Sequence, residues 1–334
     1  MKILIVDAVC PKPYDPQVFA NEALGGTEGT VIRVAEGLAA QGIEVRVTQH
    51  NRKEEGRYGA VYTQFGANND YRATHVIVLR APLVLRTARK QYPNAKLFLW
   101  CHDLFSADGW NEGFRAVVET QTIPVVVSDF HKTQMYDVLR AIKFEGQIPS
   151  RRIYNPIDED LRPDGTPVDK NKLVFFSSPH KGLEHTLKVF EQFQNFKELK
   201  DMKLYVANPG YFPNGDVNVG HQALVKNLGP RTHSNVISEV RSALCVLHLN
   251  NVFPETMGLV HAECNAMGTP FLSSRLGATP ELADHPGELI DVMDNKAVIE
   301  RIIQWKTIDR PRVRGAAHLR LSRILREWKE LLSL

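Results

Sequence analysis

Four apolar residues in a row, Ile3 to Val6, stand near the start of the chain and stop at Asp7. A short run with no polar interruption suits a strand buried on both faces. The turn pair Gly25-Gly26 follows, and then Val31, Val34, Ala35 and Leu38 recur at helical spacing. Gly42 closes that helix, and Ile43, Val45 and Val47 alternate as a strand. Further strands are predicted at Val76–Leu79, Leu97–Trp100 and Val125–Val127, with helices over Leu83–Tyr92 and Lys132–Lys143. Ser128, ahead of the second of these helices, reads as its cap. From Asn155 to Lys172 the rhythm breaks: Pro156, Pro163, Gly165, Pro167 and several charges read as a linker, with Asn155 shaping the hinge. The pattern then restarts, with strands at Leu173–Phe176, Leu204–Val206, Ala243–Leu247, Phe271–Leu272 and Leu289–Ile290 and helices over Leu183–Phe196 and His261–Met267. Strands alternating with helices predict α/β architecture with doubly wound parallel sheets, here in two halves. Ligands of such sheets bind at the carboxyl ends of the strands, and a cleft between two halves is the natural place for one.

Length and charge narrow the picture. A chain of 334 residues, 43% hydrophobic and 24% charged, is a globular protein of two ordinary domains. The boundaries read as 1–164, 165–309 and a C-terminal helical segment 310–334 that packs back toward the first domain. A net charge of +3 is too small to argue for nucleic acid. Cys10, Cys101, Cys245 and Cys264 are scattered without metal-ligand spacing, as in a reducing compartment. The first apolar run is too short for a signal-peptide core, and no run approaches the ~20 residues of a spanning helix. A cytoplasmic protein is expected. The last helix carries an apolar stripe of Leu321, Ile324, Leu325, Trp328, Leu331 and Leu332, with Arg320, Arg323, Arg326 and Lys329 on another face. That face suits either the acidic lipids of an inner membrane surface or the solvated side of a packing helix, and the second is commoner.

The densest chemistry lies in Pro254-Glu255-Thr256-Met257-Gly258-Leu259-Val260-His261-Ala262-Glu263. It joins the predicted strand to a helix over Leu259–Met267, placing Glu255 on the loop and Glu263 about two turns into the helix. Unpaired N–H groups at a helix start form an anion site suited to phosphate. A carboxylate beside it can hold a sugar hydroxyl and a deeper one a ribose diol. The plain alternative is a helix start that Glu255 helps to cap.

These residues, taken with others, resemble one family. After the E-x7-E of Glu255 and Glu263 come the glycine pair Gly25-Gly26 behind the first strand, His102-Asp103 behind Leu97–Trp100, and Ser128-Asp129-Phe130 behind the next strand. Asn155-Pro156-Ile157-Asp158 with Leu161 and Pro163, Lys181-Gly182, Leu228-Gly229 and Gly277-Ala278-Thr279-Pro280-Glu281 complete the order. In that order and spacing the chain resembles the retaining glycosyltransferases of family four, across nearly its whole length. The resemblance implies a GT-B fold, two Rossmann-like domains facing across a cleft. It implies transfer of a sugar from a nucleotide-diphosphate sugar to the hydroxyl of a carbohydrate or glycolipid acceptor, in polysaccharide or glycan biosynthesis, without a metal or other cofactor. By the same implication Lys181 neutralises the diphosphate, Glu255 holds sugar hydroxyls, Glu263 holds the ribose diol, and His102 faces the reacting sugar. Gly25 and Gly26 allow close backbone approach, and Thr256, Met257, Gly258 and Leu259 present the helix start to the phosphates.

The chain departs from the family in one respect. The usual arginine before the lysine is absent from Phe175-Phe176-Ser177-Ser178-Pro179-His180-Lys181-Gly182. Serine hydroxyls or His180 can take a hydrogen-bonding role there but not that of a fixed charge, so Arg231 is a candidate replacement. Asp158-Glu159-Asp160 fits a metal-binding D-x-D pattern but reads as solvated acids. Rival readings are a sugar-nucleotide epimerase of the same fold and a non-catalytic GT-B scaffold. A nicotinamide dehydrogenase fits less well, because Gly25-Gly26-Thr27-Glu28-Gly29 is not G-x-G-x-x-G. Nucleotide, sugar, acceptor and oligomeric state are not legible from the residues.

Overall fold

The computed structural model describes residues 1–67, 70–208 and 223–333, and the chain divides into two compact units. The first holds residues 1–16, 27–156 and 320–334, and the second holds 17–26 and 157–319.

The first unit is built on strands β1 (Lys2–Asp7), β2 (Glu44–Gln49), β3 (Gly56–Arg57), β4 (Val61–Gln64), β5 (His75–Leu79), β6 (Lys96–Trp100), β7 (Ile123–Val126) and β8 (Arg151–Arg152). Their order is β3-β4-β2-β1-β5-β6-β7-β8, parallel except for the short β3. The apolar run Ile3–Val6 lies between β2 and β5 and is buried on both faces. The helix α1 (Pro16–Asn21) falls almost wholly in the 17–26 segment of the second unit, and the helices of the first unit follow in chain order as α2 (Gly26–Ala39), α3 (Val84–Gln91), α4 (Ala107–Glu119) and α5 (Asp129–Ala141). Ser128 caps α5 by accepting from the His131 N–H at 2.9 Å, as its position predicts. The sequence pattern does not predict α4 or β4.

The second unit starts from β9 (Asp169–Phe176) and α6 (Leu183–Gln192), and continues through β10 (Lys203–Asn208), β11 (Val225–Pro230), α7 (His233–Arg241), β12 (Ala243–His248), α8 (Leu259–Ala266), β13 (Phe271–Ser273), α9 (Thr279–Leu282) and α10 (Asn295–Thr307). Its sheet order, β11-β10-β9-β12-β13, is all parallel. The chain winds outward from β9 to β11, then returns to the other side of β9 with β12. Loops leaving the carboxyl ends of β9 and β12 therefore diverge, and a crevice opens where the order reverses. The predicted strand at Leu289–Ile290 reduces to a single bridge between Ser273 and Leu289. The neighbouring Pro286–Glu288 turn leaves too little extended chain to pair further.

The last helix, α11 (Leu321–Leu332), belongs to the first unit. Its apolar stripe buries Ile324, Leu325, Trp328 and Leu332, while Arg323 and Arg326 stay exposed. The Trp328 ring meets Trp100 edge to face at 4.8 Å. Gly37 of α2 leaves room for Leu325, which a Cβ there would approach to 2.6 Å. Truncating a large buried aromatic residue costs about 3–5 kcal/mol. Trp328→Ala is therefore expected to lower the denaturation midpoint of the first unit markedly, measured by urea unfolding followed by circular dichroism. A surface change such as Arg326→Ala should stay within about 0.5 kcal/mol.

Candidate active site

The strand reversal in the second unit collects most of the residues singled out by the sequence. Behind β9 the chain makes a tight turn in which the Lys181 N–H donates to the Ser178 carbonyl at 2.9 Å. Gly182 then adopts φ +92 and caps α6. A Cβ on Gly182 would stand 2.6 Å from the Asn250 Cα and 2.7 Å from the Leu249 carbonyl oxygen. Glycine is required here twice, for the left-handed backbone and for close approach to the end of β12. Thr186 ties the same two strands together, donating to the Gly182 carbonyl at 2.8 Å and accepting from the Leu249 N–H at 3.3 Å.

Behind β12, Asn250 shapes the loop by accepting from the Val252 and Phe253 N–H groups and donating to the Phe253 carbonyl. The chain then reaches Glu255, which meets Lys181 across the crevice: Nζ to Oε2 is 2.8 Å, with side chains 23% and 12% exposed. A third loop, behind β13, braces the glutamate from outside. The Ala278 N–H donates to the Glu255 carbonyl at 2.9 Å. Gly277, at φ +66, lies so close that a Cβ would come within 2.6 Å of the Glu255 backbone nitrogen and oxygen.

Thr256, Met257 and Gly258 carry the chain into α8, whose start has no side-chain cap. Glu255 thus pairs with lysine and does not cap the helix. The first N–H groups of α8, from Leu259 onward, are those an anion would use. Gly26 lies against this point, since a Cβ on it would be 3.2 Å from Leu259 Cδ1. Neither Gly25 nor Gly26 has positive φ, so Gly26 serves close approach and not an unusual turn. One helical turn further, Glu263 is buried and its Oε1 accepts from His233 Nε2 at 2.8 Å.

Arg231 is exposed at the carboxyl end of β11, one residue before Thr232, which caps α7. Two strand spacings, about 10 Å, separate β11 from β9, within the combined reach of an arginine and a lysine side chain. Arg275, exposed in the loop behind β13 next to Gly277, is an alternative that the sequence reading did not single out. His180, whose ring meets Phe253 edge-on at 5.4 Å, is pushed below its usual pKa by burial and by the adjacent Lys181 ammonium. It is neutral at pH 7 and supplies no fixed charge.

His102 lies in the first unit, at the carboxyl end of β6, with its ring 5.0 Å from Trp100. Burial, then Arg80 and His131, hold it well below 6.5, so it is a neutral imidazole. The strand order of this unit reverses between β1 and β5, and a charged cluster missed by the sequence reading occupies that point. Arg80 Nη2 bridges Asp7 Oδ2 and Glu28 Oε1, each at 3.2 Å, and the Tyr14 hydroxyl donates to Asp7 at 3.0 Å. Arg80 adopts φ +59, a conformation uncommon for a residue with a side chain. Contacts so far apart in sequence leave no periodic signal.

Beneath α8 two buried histidines meet, His248 Nδ1 and His261 Nε2 at 3.0 Å. Burial pushes His248 down to about 4 and His261 well below 6.5. Among the described residues, no group of three His, Cys, Asp or Glu side chains is arranged to hold a metal, and no helix is long and apolar enough to cross a membrane.

Residues 157–316 match the family described as glycosyl transferases group 1. No curated protein matches the sequence. Among solved structures, the chain is similar to a sucrose-phosphate synthase from Thermosynechococcus elongatus at 15% identity and a TM-score of 0.76, over 99% of this chain and 98% of that one. An E. coli protein described as trehalose-6-phosphate bound with UDP-2-fluoro glucose matches at 10% identity and a TM-score of 0.67, over 100% and 98%. WaaG, a glycosyltransferase involved in lipopolysaccharide biosynthesis, matches at 13% and 0.59, over 99% and 95%. The fold is GT-B, with two Rossmann-like units, and the match of residues 157–316 to glycosyl transferases group 1 agrees with the resemblance of the motifs.

Two tests address this geometry. Gly277→Ala forces a side chain into left-handed backbone and into the Glu255 loop. It is expected to destabilise the protein by more than ~1 kcal/mol and to weaken nucleotide-diphosphate binding, read by thermal melting with and without ligand. Acid should also destabilise the fold. The unfolded histidine takes up its proton near 6.5 and the folded His248 only near about 4, so stability is full above 6.5 and falls as pH drops through that window. Melting temperatures between pH 7 and pH 4 should show that decline, and His248→Gln should lessen it, with His261 and His102 carrying the rest.

Proposed function

We propose that this protein is a retaining glycosyltransferase that moves a sugar from a nucleoside-diphosphate donor to a hydroxyl of a carbohydrate or glycolipid acceptor. The group 1 match over 157–316 supports glycosyl transfer. The observation that carries the finer reading is the Lys181–Glu255 pair at the strand reversal, beside the uncapped start of α8. The bond from the anomeric carbon to the β-phosphate oxygen breaks, and its electron pair leaves with the diphosphate. Lys181 and the α8 N–H groups neutralise that developing charge in place, which is the most productive kind of help a site can give. The acceptor oxygen bonds to the same face of the sugar, and its proton passes to the departing phosphate oxygen. Glu255 accepts from sugar hydroxyls and serves in positioning and electrostatics, while the resting pair keeps both charges neutralised before the donor arrives. His102, as a neutral imidazole, can hydrogen-bond a sugar hydroxyl. In this reading the positive charge comes from Lys181 and the helix, and no metal is called upon. UDP is in the description of the E. coli relative, which makes UDP-sugars the first donors to try and GDP-sugars the next. WaaG acts in lipopolysaccharide biosynthesis, and assembly of a polysaccharide or glycan in the cytoplasm, with acceptors at a membrane surface, fits the same class.

The test is transfer with Glu255→Ala and Lys181→Ala. Removing one group that stabilises transition-state charge costs about 100- to 1,000-fold in kcat. A loss of that size is expected in each variant, with the circular dichroism spectrum unchanged. Unchanged turnover in Glu255→Ala rejects the assignment. Donor incubated alone should release free sugar slowly; a new nucleotide-sugar would instead identify an epimerase, and no nucleotide binding in calorimetry would identify a scaffold.

A further inference from the structure

Glu263 is the most deeply buried carboxylate of the site, with its side chain 4% exposed, and a buried carboxylate needs a donor. One donor to it is His233, the first residue of α7. The Thr232 cap fixes the backbone there, accepting from the Asn235 N–H at 3.3 Å. A carboxylate only accepts, so the tautomer with hydrogen on Nε2 faces Glu263 Oε1 at 2.8 Å. The ring has two further neighbours. Asp158 Oδ2 lies 4.0 Å from Nδ1, and Phe19 stacks on the face of the imidazole, centroids 5.4 Å apart and planes 27° apart. Phe19 belongs to residues 17–26, which also bring Gly26 against Leu259 at the start of α8. One early segment of chain thus touches both the helix start and the residue that holds the helix's carboxylate.

We propose that His233 is a positioning residue for the ribose of a nucleotide donor. It fixes the Glu263 carboxylate so that its remaining acceptor capacity faces the ribose hydroxyls, and Phe19 keeps the imidazole in that orientation. The inference rests on the nucleotide-binding reading above and adds to it a specificity element drawn from three separate parts of the chain. A histidine that merely neutralised a buried acid would contribute to stability and leave ligand selectivity alone. A positioning histidine distinguishes ligands that have the ribose 2′-hydroxyl from those that lack it.

The experiment is calorimetry of UDP and GDP with the full chain, then of the 2′-deoxy form of whichever binds. Loss of a partner that orients a ligand-binding group costs about tenfold or more. His233→Ala is expected to weaken the ribonucleotide about tenfold, His233→Gln to stay within about threefold, and Phe19→Ala to fall between. The 2′-deoxy nucleotide should bind the unaltered protein more weakly and be indifferent to His233→Ala. In transfer assays His233→Ala should raise the donor KM and leave kcat nearly unchanged. Equal weakening of both nucleotides, or of neither, overturns the proposal. Failure of the unaltered protein to bind any nucleotide overturns it together with the proposed function. Binding without transfer rejects the transferase reading alone, and the ribose comparison still decides the role of His233.

Discussion

An ion pair across a strand reversal organises the second unit. The loop behind β9 must deliver an ammonium and the loop behind β12 a carboxylate to the same point, because the sheet order places those two strands side by side. Both groups are largely withdrawn from water, where an unpaired charge is costly. Each therefore constrains the other's loop. The requirement propagates outward: Gly182 must let its turn approach Asn250, Asn250 must fold the β12 loop back on itself, and Gly277 must let a third loop close on the Glu255 backbone. A pair made this way is poorly suited to adding net stability. In the proposed reaction it is well suited to exchange, since a diphosphate and a sugar would satisfy the ammonium and the carboxylate separately.

The surrounding structure repeats this economy at lower charge. His248 and His261 bury two imidazoles against one another beneath α8, held neutral by desolvation, so no competing positive charge stands behind the helix start. His180 is kept neutral for a related reason, by burial beside Lys181. In the first unit Arg80 is gripped by Asp7 and Glu28 at the corresponding strand reversal, a second case of opposite charges delivered by loops from neighbouring elements. Two sheets of similar winding thus carry two charge pairings at matching topological positions. In the first, the cation has two acidic partners. In the second, lysine has one, which leaves a fixed positive charge easier to redirect toward phosphate.

Much of this was legible in the residues. Runs such as Ile3–Val6 and Leu173–Phe176, short and bounded by polar or turn residues, suit central strands, and their alternation with helices pointed to two doubly wound sheets. Glu255 was picked out because it stands just past such a strand, and Lys181 because Lys181-Gly182 takes its place in the order of motifs that the family resemblance rests on. What escaped detection has physical causes. Helix α4 buries Phe114, Ala116 and Val117 but is interrupted by Gly109 and Gly113, the latter packed against Pro82, so its apolar periodicity is weak. Strand β4 is four residues long and ends in polar Thr63 and Gln64. Leu289–Ile290 was over-read because a short apolar pair looks the same in a strand and in a lone bridge.

His233 shows most clearly where a linear reading stops. Nothing in Arg231-Thr232-His233-Ser234 marks the histidine as more than a surface residue at a helix start, and its partners Glu263, Asp158 and Phe19 come from three remote stretches of chain. Its importance follows from the burial of Glu263, which itself follows from α8 packing against the sheet. The glutamate motif supplies a carboxylate at the right depth, and the fold must then supply something to hold it still. An imidazole meets that need better than an arginine or lysine would. It donates one directed hydrogen bond and leaves the carboxylate further acceptor capacity, whereas the several donors of an arginine or lysine would take up more of it.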